Sequence, residues 1–176
     1  FFDIDSDLNL ENYNSSNLKL SFKKVSNDTY LKLFDQHVTK SNLRPDNFDN
    51  LNSSLKLFLN HEDFNFESGF QSYEDLQINS KSDRYQYNLP YYNFDRLISQ
   101  NYFEGNINFS SDGNNYLSNT NELETNITNN VTYNSLDYIS KLGIKNNYSF
   151  SFRNLNSIGK KTSQYKSSPQ VELAGL

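Results

Sequence analysis

The amino-acid sequence predicts an all-β protein, an antiparallel up-and-down meander of about 9–10 strands. Apolar and polar residues alternate with a period of two along most of the chain, and this is the spacing of side chains on the two faces of a strand. The 176 residues include 13 Tyr and 14 Phe but only 6 Gly and 3 Pro, whereas disordered segments are poor in aromatic residues. No helical spacing of apolar residues continues for more than about two turns, and no repeat of roughly 20–50 residues indicates a propeller or a solenoid.

Residues 123–133 show the clearest alternation. Leu123, Ile127, Val131 and Tyr133 occupy odd positions, and every even position between them is polar. Since successive residues of a strand point to opposite faces, this segment predicts a strand with one apolar face and one hydrated face.

The same alternation predicts the remaining strands in chain order. Their apolar positions are Ile4, Leu8 and Leu10; Leu18, Leu20 and Phe22; Leu51, Leu55, Leu57 and Leu59; Phe64, Phe66 and Phe70; Tyr85, Tyr87, Leu89 and Tyr91; Phe103, Ile107 and Phe109; and Leu142, Ile144, Tyr148, Phe150 and Phe152. Turn-forming residues separate these strands. They are Asn14–Ser16, Arg44–Asn47, Asn60–Asp63, Ser111–Asn114 and Lys141–Gly143. Several connections are short enough for hairpins, which favours a meander.

Composition excludes several classes of protein. The chain has 16 Lys+Arg against 21 Asp+Glu, and its one clear basic cluster, Lys160, Lys161 and Lys166, is short, so we expect no nucleic-acid partner. The longest apolar runs fall far short of the ~20 residues that a membrane-spanning helix needs. The sequence has no Cys, which excludes thiol catalysis, zinc–thiolate sites and disulfides within it.

Strand length separates a membrane barrel from a soluble β-protein. Many predicted strands have about 9–12 residues, and a strand that crosses a bilayer needs ~9–11, whereas strands of globular proteins usually have ~5–6. A mean hydropathy of −0.83 fits a barrel wall that is apolar only at alternate positions, and Tyr and Phe would form its interfacial girdles. The pattern favours part of a large outer-membrane β-barrel. A soluble β-sandwich or jelly roll and an adhesin-like β-array are the alternatives.

A barrel wall would direct the polar positions of its strands into the lumen. The candidate lumen-facing residues are Lys19, Lys23, Asp63, Glu67, Asn126, Asn130 and Asn134. His61 with Asp63, and His37 with Asp35, resemble hydrolytic pairs, but neither has a nucleophile motif or metal-ligand spacing beside it. We therefore expect no enzymatic activity, no cofactor and no metal.

Three segments resemble one protein family. Val25–Phe34 reads V-S-N-D-T-Y-L-K-L-F and resembles the S-D-D-T-Y-L strand junction of the lipopolysaccharide-assembly outer-membrane proteins, the LptD or organic solvent tolerance family. Asp83–Pro90 reads D-R-Y-Q-Y-N-L-P and is similar to that family's R-Y-x-x-L-P segment. Ser168–Leu173 is similar to a P-Q-x-x-L strand start further along the same barrel. These landmarks follow the family's order over most of the chain.

The resemblance implies that residues 1–176 are one partial barrel domain, an interior fragment from the N-terminal half of the parent barrel, without a second domain. It implies a place in the outer membrane and a function in inserting lipopolysaccharide into the outer leaflet. The implied partners are lipopolysaccharide, a plug lipoprotein of the LptE type, outer-membrane lipid and, through a domain absent from this sequence, a periplasmic bridge protein. A porin or nutrient transporter is the alternative within the barrel class.

Overall fold

The computed structural model describes residues 1–38, 47–79, 84–102, 104–118, 122–161 and 164–175. Strands hold 72% of the residues and helices 5%, so the all-β prediction is confirmed. The strands are β1 (Phe2–Asp7), β2 (Ser15–Phe22), β3 (Asn50–Asn60), β4 (Phe64–Asp75), β5 (Tyr85–Tyr102), β6 (Gly105–Ser118), β7 (Glu122–Ser135), β8 (Tyr138–Ile139), β9 (Lys145–Asn146), β10 (Ser149–Lys161) and β11 (Gln164–Gly175). Two short helices, α1 (Tyr30–Leu33) and α2 (Asp35–Val38), lie between β2 and β3.

Nine strands form one antiparallel sheet in the order β1-β2-β3-β4-β5-β6-β7-β10-β11. Each strand of this sheet pairs with the strand that precedes it in the chain, except that the small β8–β9 hairpin is inserted between β7 and β10. The predicted meander is therefore confirmed. The sheet does not close on itself in this structure, and β1 and β11 are its two edges.

The strand boundaries differ from the prediction at four places. Ser15 and Ser16, predicted as part of a turn with Asn14, are the first residues of β2. Leu8 and Leu10 lie in the turn after β1, because the chain turns back to form β2. Ser111–Asn114, predicted as a turn, lies in the middle of β6, where Gly113 packs beneath the Tyr92 ring of the neighbouring strand. Leu142 and Ile144 belong to the turn of the β8–β9 hairpin rather than to a long strand with Phe150.

Other predictions are confirmed or concern residues outside the described ranges. The turns at Asn60–Asp63 and Lys141–Gly143 are present, and Gly143 has the positive φ of 76° that favours glycine. Phe103 and residues 44–46 lie outside the described residues.

A register shift in β5 changes the face of one predicted apolar residue. The Leu89–Pro90 peptide is cis, and the pairing of β5 with β4 and with β6 shifts at this point. Proline has no N–H to donate to a ladder, so it occurs in strands mainly at such irregularities. As a result, Tyr91 faces the side opposite to Tyr85 and Tyr87.

The only cluster of buried apolar side chains among the described residues is small and lies at one end of the sheet. Leu31 of α1 packs with Leu51 of β3 and with Leu76, and Val25 and Phe48 pack against this group. Neither helix in the described ranges has the length or apolar character required to span a membrane.

Candidate functional site

The large sheet has one predominantly apolar face. Directly opposed residues of antiparallel strands point to the same side, so the pairing register identifies the residues of each face. Leu20 of β2 lies opposite Ile4 and Leu55, and Leu55 lies opposite Phe70. On the same face, toward the β11 edge, a second row of apolar residues joins β6, β7, β10 and β11. It consists of Phe109, Val131, Phe152 and Leu173. We call this face of the sheet the apolar face.

The apolar face is largely uncovered in the described structure. Phe2 is 51% exposed, Phe70 47% and Leu173 66%. The β8–β9 hairpin has only two residues per strand and is too small to form a second layer over nine strands. A water-soluble sandwich would bury such a face against a second sheet.

Five of the seven predicted lumen-facing residues lie together on the other side, the polar face. They are Lys19, Glu67, Asn126, Asn130 and Asn134. Each of them is adjacent in sequence to a residue of the apolar face, so its side chain points to the opposite face. Lys23 follows the end of β2, and Asp63 lies in the turn between β3 and β4, so neither belongs to a strand.

The charged and amide groups of the polar face are paired locally. The Lys19 ammonium lies 3.0 Å from an Asp5 carboxylate oxygen across the β1–β2 pair. The Tyr91 hydroxyl donates to Glu67 at 3.1 Å, and the Asn126 amide donates to Glu124 at 2.9 Å. The face is therefore hydrated and of mixed charge, without a ring of one sign that would select one kind of ion.

Two wide grooves lie mainly on this polar face. One, of about 540 Å³, crosses β3 to β6 and includes Phe58, Glu67, Asn93 and Asp112. The other groove, of about 670 Å³, lies on the same face closer to the β11 edge of the sheet and includes Glu124, Lys161 and Lys166. Both grooves extend across several adjacent strands of the sheet.

An ion-pair cluster fastens the segment between β2 and β3 to the ends of β4 and β5. The Arg84 guanidinium donates to both carboxylate oxygens of Asp28, at 3.0 and 2.6 Å, and its Nε donates to Glu74 at 2.8 Å. The Tyr85 hydroxyl also donates to Glu74, at 2.9 Å. We call Asp28, Glu74, Arg84 and Tyr85 the Arg84 cluster. Its bidentate geometry is the form in which Arg binds carboxylates most strongly.

The Arg84 cluster affects the titration of its own members. The hydrogen bond from Arg84 lowers the pKa of Asp28 below its ordinary value, and the same hydrogen bond raises the pKa of Arg84. Both groups therefore remain charged near neutral pH. Glu74 is buried, so removal of Arg84 would leave a buried carboxylate without its cation.

The Arg84 cluster was missed by sequence reasoning, although three of its four members lie in segments that the resemblance had singled out. Asp28 belongs to the segment resembling S-D-D-T-Y-L, and Arg84 and Tyr85 belong to the segment resembling R-Y-x-x-L-P. No local pattern indicates that residues 56 positions apart will meet. The shift of Tyr91 to the polar face, by contrast, had a local signal in Pro90, because proline in a strand indicates an irregularity.

A polar row interrupts the apolar face near the middle of the strands. The Ser111 hydroxyl donates to the Asn129 side chain at 2.8 Å, and it lies 3.2 Å from the Tyr92 hydroxyl. Asn154 lies opposite Asn129 on the next strand and accepts from Asn156. Most polar side chains of this row therefore have a hydrogen-bond partner within the row.

The two histidines lie in the β3–β4 turn and in the short helical segment. In the predicted pair of His61 and Asp63, the Nδ1 of His61 lies 3.9 Å from an Asp63 carboxylate oxygen. His61 stacks on the Phe64 ring at a centroid distance of 5.0 Å, and its Nδ1 accepts from the Asp63 backbone N–H at 3.2 Å. His37 contacts the Phe34 ring in the short helical segment. Within the described ranges, no three His, Asp or Glu side chains come together in a way that could hold a metal ion.

The described residues thus form a sheet with two different faces. Its main features are the apolar face, the polar face with its two grooves, and the Arg84 cluster. Comparison of the sequence with models of protein families, and with curated proteins, gives no match.

Proposed function

We propose that this chain forms part of the wall of an outer-membrane β-barrel that delivers lipopolysaccharide to the outer leaflet. The observation that carries the proposal is the division of the nine-stranded sheet into one apolar and one polar face. A bilayer-crossing barrel needs this division, because its outer side contacts acyl chains and its inner side contacts water.

The length of the apolar face supports a membrane position. On β7 it extends from Leu123 to Tyr133, which is about 33 Å along the strand at ~3.3 Å per residue. A strand tilted by ~40° would project this length onto about 25 Å along the membrane normal, close to the apolar band of known barrels.

The position of the grooves agrees with the same orientation. They lie mainly on the polar face, which would become the lumen if the sheet closed. The two unpaired edges, β1 and β11, would join further strands of the barrel, because an open edge in a bilayer leaves backbone N–H and C=O groups unsatisfied.

The resemblance to the LptD family directs the proposal toward lipopolysaccharide rather than toward a nutrient. The Arg84 cluster supports it, because it joins two of the three segments on which the resemblance rests. A wide, hydrated face of mixed charge is also compatible with a phosphorylated sugar. On this proposal the partners are lipopolysaccharide, a plug lipoprotein of the LptE type in the lumen, outer-membrane lipid and a periplasmic bridge protein.

Site-specific photo-crosslinking in cells tests both the orientation and the substrate. A photoreactive side chain at Asn126 should capture the plug lipoprotein or lipopolysaccharide, and one at the adjacent Ile127 should capture membrane lipid but no plug lipoprotein. Lys19 and Leu20 form a second matched pair on β2. Moving the probe by one residue exchanges the two faces, so each pair is its own control.

Depletion of the protein separates the classes of barrel. We expect newly made lipopolysaccharide to accumulate inside the envelope when the protein is depleted. Normal lipopolysaccharide delivery together with loss of uptake of one nutrient would favour a nutrient transporter. Capture of water-soluble proteins at both members of each pair would contradict the barrel and favour a soluble β-protein.

A further inference from the structure

The β8–β9 hairpin and its flanking residues, 136–148, project from one end of the sheet with unusually apolar side chains. Leu142 at the tip is 86% exposed and Ile139 is 66% exposed. Tyr138 and Tyr148 flank them and are each 64% exposed. Turns between strands are normally polar, so a hairpin whose apolar side chains are this exposed indicates a surface that something covers.

This segment, which we call the apolar hairpin, continues the apolar face of the sheet. Tyr148 donates its backbone N–H to the Ser135 hydroxyl at 2.7 Å and accepts from the Ser135 backbone N–H at 2.8 Å, which extends the β7–β10 pairing by one step. Tyr148 therefore lies on the same face as Phe150 and Phe152.

The charged residues of the apolar hairpin suit a membrane surface. Lys145 pairs with Asp137 at 2.7 Å, which lowers the pKa of Asp137, and both groups lie at the base of the hairpin. Lys141 stands beside the tip residue Leu142. A lysine can lay its aliphatic stem along an apolar surface and keep its ammonium in water, and tyrosine is enriched at the same depth of a bilayer.

We infer that the apolar hairpin inserts its tip into the headgroup region of the bilayer and anchors this end of the sheet to the membrane surface. The inference rests on the proposed function, since it requires the apolar face to contact acyl chains. Lipid is the occupant because the hairpin continues that face and combines apolar, tyrosine and lysine side chains in the manner of interfacial segments.

Fluorescence quenching in vesicles measures the depth of the hairpin. The chain contains no Cys, so single cysteines can carry an environment-sensitive dye. Leu142→Cys tests the tip, and Glu62→Cys, in the β3–β4 turn at the same end of the sheet, is the matched control. The labelled chains are refolded into phosphatidylcholine vesicles that contain lipids with a spin label either near the headgroup or deep in the acyl chain.

The dye at position 142 should be quenched about twofold more by the shallow spin label than by the deep one, since interfacial segments lie only ~5–10 Å into the boundary. The dye at position 62 should be quenched by neither. Ile139→Cys repeats the measurement if the tip variant does not refold.

A third labelled variant, Ile127→Cys, separates failure of this inference from failure of the proposed function. If position 127 is quenched by the deep label but position 142 behaves like position 62, the proposed membrane wall is supported and the proposed insertion of the apolar hairpin is wrong. Strongest quenching of position 142 by the deep label would also overturn an interfacial position. If position 127 is not quenched at all, the proposed membrane wall is wrong.

Discussion

Replacement of Ile127 by arginine is the most direct test of the assigned faces. Ile127 lies near the middle of β7 on the apolar face, directly opposite Gly113 on β6 and Asn156 on β10. In the proposed wall its side chain is close to the centre of the bilayer. An arginine there would place a guanidinium among acyl chains.

The expected cost follows from the depth of the residue. Arginine on the lipid face of a barrel costs about 2–4 kcal/mol at the midplane and about 0–1 kcal/mol near the interfaces. A cost of 2–4 kcal/mol lowers the equilibrium constant for folding roughly 30- to 700-fold, at about tenfold per 1.4 kcal/mol. Such a change is well outside the error of an equilibrium unfolding measurement.

Asn126→Arg is the matched control. Asn126 is the preceding residue, faces the polar side and donates to Glu124, a role that an arginine can take over. We expect its effect to be within about 1 kcal/mol, as for most exposed substitutions. Both variants are refolded into lipid vesicles and unfolded with urea, and the strand signal is followed by circular dichroism.

Equal destabilisation by Ile127→Arg and Asn126→Arg would refute the assignment of the faces. A larger cost for Asn126→Arg than for Ile127→Arg would show that the side of the sheet carrying Asn126 is the less solvated one, and would reverse the assignment. Each result has a distinct meaning because the two positions share one strand and almost one depth.

Three further outcomes are expected. In buffer without detergent the chain should aggregate, because both edges and the apolar face are open, and a monodisperse monomer by light scattering would contradict this. Gly113→Ala should cost about 1–3 kcal/mol in urea unfolding, since the new Cβ overlaps the Tyr92 ring, whereas Gly159→Ala, with open space around it, should be nearly neutral. Arg84→Lys should speed limited proteolysis of residues 23–38 several-fold. Because Arg84 lowers the pKa of Asp28, the ion pair between them stabilises the segment 23–38 at pH values above 3.8, the ordinary pKa of this carboxyl. This stabilisation is lost as the pH falls below 3.8. Proteolysis of the unchanged chain should therefore accelerate only in acid.

The strand pattern was predictable because it is local. A period of two is visible in any short segment, and it assigned Leu18, Leu55, Ile127 and Val131 to one face, as the pairing register does. No distant contact was needed for this. The same locality explains why most strands were recognised despite a mean hydropathy of −0.83.

The errors lie where distant residues or backbone irregularities decide. Ser111–Asn114 has the composition of a turn, but the pairing of β6 with both neighbours and the Tyr92 ring over Gly113 keep it extended. The register shift at Pro90 moved Tyr91 to the polar face. Neither the contact of Asp28 with Arg84 nor the turn at Leu142 follows from periodicity.

In the proposed membrane wall, the polar row would lower the cost of presenting the apolar face of so polar a chain to lipid. An unpaired amide or hydroxyl in hydrocarbon costs several kcal/mol, because no water can bond to it. Tyr92, Ser111 and Asn129 avoid part of this cost by bonding across three strands, at 3.2 and 2.8 Å. The bonds depend on the register that places Ser111 opposite Asn129, so a slip of one strand would expose these groups and also reverse its faces. In the proposed membrane wall, the polar side chains of the apolar face would therefore help to specify the register. The aromatic and aliphatic side chains above and below them would supply the contact with lipid.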